Sequence, residues 1–161
     1  MIPTLMTRLI TTAAVLALAA CASTPAPAPL ADTLQRQPQL STFNRLVDQA
    51  GLKEELRANG PLTVFAPSDE AFKAVPAKTL DALAANPAQL KEVIKFHVVA
   101  ARLSSAEVKT ASQKTLQGGS LGLARAGDFV TVEEAMVQQA DIPATNGVVH
   151  VIDRVLMPPK K

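Results

Sequence analysis

The spacing of apolar residues along this chain changes period near Thr110, from helical on the N-terminal side to strand-like on the C-terminal side. Phe43, Leu46, Val47 and Ala50 recur at helical intervals. Ser41 stands where an N-cap would and Gly51 where a helix would stop. Leu52 to Leu56 predicts a further short turn or helix before Asn59-Gly60-Pro61 breaks the chain. Leu62-Thr63-Val64-Phe65-Ala66 reads as a strand. Ser68 caps the next helix, with Asp69 and Glu70 in the first turn, where the helix dipole favours acids. Another helix spans Pro76 to Ala85 and is closed by Asn86. The chain restarts at Pro87, and the helix that follows sets Leu90, Val93, Ile94 and His97 on one side and runs into Val98-Val99. Ser104 and Glu107 form a capping box, which predicts one more short helix.

Beyond Thr110 the expected elements are strands. Thr115-Leu116 and Leu121-Gly122-Leu123 flank Gly118-Gly119, a hairpin signal. Phe129 to Val132, Ala135 to Val137 and Val148 to Leu156 complete the set. The last run is apolar on both faces, with Val148, His150, Ile152 and Leu156 on one side and Val149, Val151 and Val155 on the other, so it should lie centrally and be covered on both. Helices first and strands second define an α+β class.

The N-terminus has a different logic. Arg8 precedes an apolar run from Leu9 to Ala20, too short to span a bilayer but suited to a signal-peptide core. The run ends in Leu18-Ala19-Ala20-Cys21, which resembles the lipobox of bacterial lipoproteins. The expectation is a signal peptide over residues 1–20, cleavage after Ala20, and acylation of Cys21, which anchors the chain to a lipid bilayer. Cys21 is the single cysteine, so an internal disulfide is excluded. Ala22 stands where an Asp would signal inner-membrane retention, which points to the outer membrane, facing the periplasm or the cell surface. Residues 21–38, rich in Pro and Ala, read as an extended tether able to hold a domain up to roughly 50 Å from the lipid. The folded domain is expected over residues 39–159.

Two segments of that domain resemble the fasciclin family. One is Thr63-Val64-Phe65-Ala66-Pro67-Ser68-Asp69-Glu70-Ala71-Phe72; the other runs from Asn146-Gly147-Val148-Val149-His150 to Leu156-Met157-Pro158. Phe96-His97-Val98-Val99 is similar to the family's central segment, with Phe96 in place of its Tyr, and Ala140-Asp141-Ile142 is similar to its Asp-Ile segment. The resemblance implies a wedge of two β-sheets flanked by short helices, a role in cell adhesion or matrix attachment, and no cofactor. It also implies that Asp141 and Ile142 form an interaction segment, while the residues themselves equally fit a structural role, with Ile142 buried as an anchor and Asp141 accepting a backbone hydrogen bond. Glu133-Glu134 stands where a two-residue Asn-Gly turn is usual, so a longer or different turn is expected there.

Composition narrows the function further. The formal charge of +2 falls to near +1 once Arg8 is removed, too balanced to suggest a nucleic-acid partner. There is no Trp or Tyr, and the five Phe all sit in apolar runs that read as core, which weighs against stacking sites for sugars or bases. The two histidines, His97 and His150, lack partners at metal-ligand spacing and read as structural, bonded to backbone carbonyls. Ser68, Ser104 and Ser105 are accounted for by capping, and Asp69 and Glu70 by the helix dipole, so no enzyme is expected. An alternative is a binding protein for a small apolar ligand, held in a gap between sheets and helices.

Overall fold

In the computed structural model, which describes residues 26–159, the last strand lies in the middle of the sheet, as its apolar faces require. The strands are β1 (Leu62–Pro67), β2 (Val98–Val99), β3 (Ala111–Lys114), β4 (Ser120–Ala126), β5 (Phe129–Val132), β6 (Ala135–Ala144) and β7 (Gly147–Ile152). Their order is β2-β1-β7-β6-β5-β4-β3. β1 and β7 pair in parallel, Leu62 opposite Gly147 and Pro67 opposite Ile152, and the other pairs are antiparallel. β6 belongs to both halves: Val137 to Ala144 pair with β7, whereas Ala135 and Met136 pair with β5. Register shifts on either side of Gln139 let the strand bend between the two halves, as bulges do. A bridge from Val99 to Thr115 draws the opposite edges together, so the seven-stranded mixed sheet nearly closes into a barrel.

Among the described residues six α-helices, α1 (Leu30–Gln35), α2 (Ser41–Gln49), α3 (Lys53–Ala58), α4 (Asp69–Lys73), α5 (Ala77–Ala85) and α6 (Pro87–Phe96), with a 3-10 turn at Pro38–Leu40, accompany the β1–β7 half. One apolar cluster joins Leu34, Phe43, Val47, Leu90 and Ile94 of the helices to Val64, Val149 and Val151 of the sheet. A second cluster fills the barrel mouth with Phe65, Phe96, Leu121, Leu123, Val132 and Ile152.

The helix ends show how local signals and distant partners divide the work. Ser68 caps α4 by accepting from Ala71 N (3.3 Å), and Asn86 caps α6 by accepting from Gln89 N (3.2 Å). Ser41 does not cap α2. Instead the Asp69 carboxylate accepts from the Thr42 amide (2.8 Å) and from the Ser41 hydroxyl (2.8 Å). Gly51, at φ +68°, ends α2 with Leu52 N bonded back to Val47 O (3.1 Å).

Several sequence expectations are corrected. Helix α1 lies inside the stretch read as tether: Leu30 and Leu34 are fully buried, and the folded unit begins at Ala28 rather than at residue 39. Ser104 and Glu107 make their side-chain bonds (2.8 and 3.0 Å), but only a single turn follows, not a helix. The last strand ends at Ile152, four residues before Leu156. Glu133-Glu134 does form a two-residue turn, since Val132 pairs with Ala135. Glu133 takes the positive φ, +54°, and its carboxylate accepts from Gly122 N (2.6 Å). Phe129 is not core: it is 64% exposed.

Candidate functional site

Asp141 sits at the second irregularity of β6 with φ +58°, a left-handed conformation that a non-glycine residue adopts when its surroundings hold it there. Its amide donates to His150 Nδ1 (3.2 Å), and its carboxylate accepts from the Ser105 amide (2.7 Å) and the Ser105 hydroxyl. Arg125 donates to Ser105 O (3.0 Å). His150 Nε2 donates to Leu103 O (2.7 Å), and Thr63 Oγ1 accepts from Leu103 N (2.9 Å) while donating to Ala101 O (2.6 Å). Side chains from β1, β4, β6 and β7 thus converge on the segment Ala101–Ser105 and tie it across the sheet. Ile142, next along β6, is buried against the helix-side core.

Each histidine ring accepts one backbone N–H and donates to one backbone carbonyl, which fixes the neutral tautomer. His97 Nδ1 donates to Val93 O (2.8 Å) and Nε2 accepts from Leu156 N (2.9 Å), so α6 is stapled to the chain beyond β7. Burial pushes the His97 pKa down to about 4, with the hydrogen bond to Val93 opposing. Burial also lowers His150, which stacks on Phe65 at 5.4 Å. Partial burial disfavours the charged form of Asp141, yet the Ser105 bonds, with His150 and Arg125 nearby, hold its carboxyl below the ordinary range.

The fold therefore brings Asp141, Ile142 and His150 together and leaves His97 at a separate junction. Ala20 and Cys21 lie outside the described residues. No group of three His, Cys, Asp or Glu side chains is placed to hold a metal, and no helix is long and apolar enough to cross a membrane, among the described residues.

Sequence reasoning missed the outer face of β4–β6. Phe129 and Met136 project there, with Thr131 between them and opposite Met136, at 64% and 45% exposure. The signal was present: in Phe129-Val130-Thr131-Val132, strand alternation puts Phe129 on the side opposite the buried Val130 and Val132. It also missed an open cleft of about 570 Å³ between the β5–β6 turn and the C-terminal segment, floored by Phe96, Ala135 and Leu156 and rimmed by Glu133, Glu134 and Arg154.

A nearly closed seven-stranded mixed sheet with helices over one half, and polar side chains that hold loops across it, defines an α+β architecture. The fasciclin domain model matches residues 38–158, and the chain belongs to the fasciclin-domain family. Protein sll1483 of Synechocystis sp. is 40% identical over 121 residues, covering 74% of this chain and 67% of that protein. Immunogenic protein MPB70 of Mycobacterium bovis is 36% identical over 136 residues, 81% of this chain and 69% of its own length. The transforming growth factor-beta-induced protein ig-h3 of Sus scrofa is 39% identical over 137 residues, but this chain spans only 20% of it. A solved fasciclin domain pair from the insect cell adhesion molecule fasciclin I shares the fold, with a TM-score of 0.63 and 23% identity over 76% of this chain and 46% of that one.

Proposed function

We propose that this protein is a lipid-anchored envelope component whose fasciclin domain binds a protein or matrix partner and catalyses no reaction. The observation that carries the reading is the combination of filled apolar clusters inside with Phe129 and Met136 exposed on one outer face of the sheet. Surface aromatics and methionines of this kind favour protein contact. The name of one structural neighbour, an insect cell adhesion molecule, agrees in class. The anchor rests on Leu18-Ala19-Ala20-Cys21, with the outer membrane as the destination that Ala22 favours.

Asp141 and Ile142, the segment that the family resemblance marks for interaction, lie further along β6 from Met136. Because its carboxylate is committed to Ser105, Asp141 acts there by shaping the surface. A second reading, capture of a small apolar ligand, is favoured by the cleft floored by Phe96 and Leu156.

The test is proximity crosslinking on intact cells with a photoreactive side chain at Phe129, at Glu134 on the cleft rim, or at Lys78 on α5. A discrete protein adduct from the Phe129 position alone supports the partner-binding surface. Adducts of equal yield from Phe129 and Lys78 would discard it, and a small-molecule adduct at Glu134 would favour the second reading. Separately, Cys21→Ser should leave the protein uncleaved or soluble; a processed variant that still partitions with membranes would remove the anchor.

A further inference from the structure

We infer that one end of the sheet, the end carrying Gly60-Pro61 and Thr145-Asn146, is the surface that meets the lipid bilayer. The inference rests on the acylation of Cys21 proposed above, and it assigns the side of the domain on which the anchor acts.

The chain is pinned to the domain close to its N-terminal end. Ala28 is 7% exposed, and its carbonyl accepts from Thr145 N (2.9 Å) and from the Thr33 hydroxyl (3.0 Å). Leu30 N donates to the Asn146 side chain (2.8 Å), which also donates to Leu56 O (2.8 Å) and Asn59 O (2.6 Å). Residues 22–27 are all that separate Cys21 from Ala28. Whatever their conformation, that length of chain reaches no more than about 25 Å. A folded unit of this size is about 36 Å across. Placing the opposite end on the bilayer would require the connection to double back along the domain for most of its length, whereas the near end needs no such detour.

Surface chemistry agrees with reach. Ala58, Asn59, Gly60, Pro61 and Thr145 at the near end are exposed and uncharged, and the exposed Arg57 beside them is paired with Asp32 and Glu54. The five uncharged residues form a fixed surface, because a Cβ on Gly60 would stand 2.7 Å from the Asn146 carbonyl oxygen. The opposite end, about 17 Å further along β7, carries Glu70, Glu133, Glu134 and Asp153 against Lys73 and Arg154. An acidic surface is repelled by anionic headgroups. The cleft beside Glu133 and Glu134, and Met136 with it, therefore faces away from the lipid, where a partner approaches from solvent.

The experiment uses the full acylated chain in phosphatidylethanolamine–phosphatidylglycerol vesicles. A fluorophore is placed on the new thiol of Asn59→Cys in one sample and of Glu134→Cys in another, since the Cys21 thiol is consumed by the lipid. A headgroup-bound quencher should quench the Asn59 position several-fold more than the Glu134 position, with both proteins floating with the vesicles. Equal quenching, or stronger quenching at Glu134, with flotation intact overturns the orientation alone. Loss of flotation in both overturns the anchor and the orientation with it.

Discussion

The two halves of the sheet are buried in opposite styles. Every residue of β1 and β7 is buried, because the sheet there has helices on one side and the second apolar cluster on the other. β4 and β5 alternate between buried and exposed positions, and β3 is exposed at three of its four residues. A strand covered on both faces commits all its side chains to packing. A strand covered on one face leaves every second residue available for contact with something else. The covered half is thus where substitutions should be costly, and the open half is where they should be cheap but consequential for binding.

The largest expected effect tests that division directly. A Cβ on Gly147 would lie 1.9 Å from the Leu62 carbonyl oxygen and 3.0 Å from Leu30 Cδ1, so Gly147→Ala should cost more than about 4 kcal/mol or prevent folding. Gly122→Ala in the open half meets only the Glu133 carboxylate at 3.4 Å and should cost less than about 1 kcal/mol. Urea denaturation of both measures the contrast, and equal losses would erase it.

Next in size, Asn146→Ala removes the bonds that join α1, α3 and the β6–β7 turn. It should destabilise by about 2–4 kcal/mol, with hydrogen exchange rising first in α1. The remaining pair of predictions sharpens the comparison by pH and by surface change. Burial holds His97 neutral with its pKa at about 4 against an ordinary value of 6.5. Its contribution is complete above pH 6.5 and is lost as the pH falls from 6.5 to about 4, on the order of 3 kcal/mol. Denaturation midpoints should fall through that window and fall less steeply in His97→Phe, where the slope due to His150 remains; a level profile in the parent protein would mean that the ring is not held neutral. The smallest stability change belongs to Phe129→Ser, within about 0.5 kcal/mol, and any larger drop would place Phe129 in the folding core after all.

What could be read from the sequence followed the same division. β1 and β7 were legible as continuous apolar runs, with the end of β7 set four residues too far, α2 by its helical period, and Ser68 and Asn86 because they cap with their own side chains. α1 was illegible because its short apolar pattern follows a Pro/Ala stretch and its first amide is satisfied by Asn146, far along the chain. The N-terminus of α2 was misread for the same reason, since Asp69 lies beyond the next strand. Glu133 tolerates its positive φ through a bond to Gly122 that no local pattern records. At the candidate site, Asp141 and Ile142 were found by resemblance. Ser105 and Arg125, which hold Asp141 and its loop, carry no signal at the level of sequence spacing. Phe129 could have been found by giving strand alternation more weight than local hydrophobicity.

The parallel pairing of β1 with β7 also bears on how the molecule comes to exist. Leu62 waits for Gly147, and Pro67 for Ile152, so the strand that β1 needs on its inner side is synthesised only after the five strands that lie between them in the chain. Until it arrives, Thr63 and Val64 have only the two-residue strand β2 beside them. Contacts closed across so long a loop make the final step slow relative to the local helices. A growing chain therefore stays open until β7 is made, and a chain that stays open can still be threaded through a narrow channel.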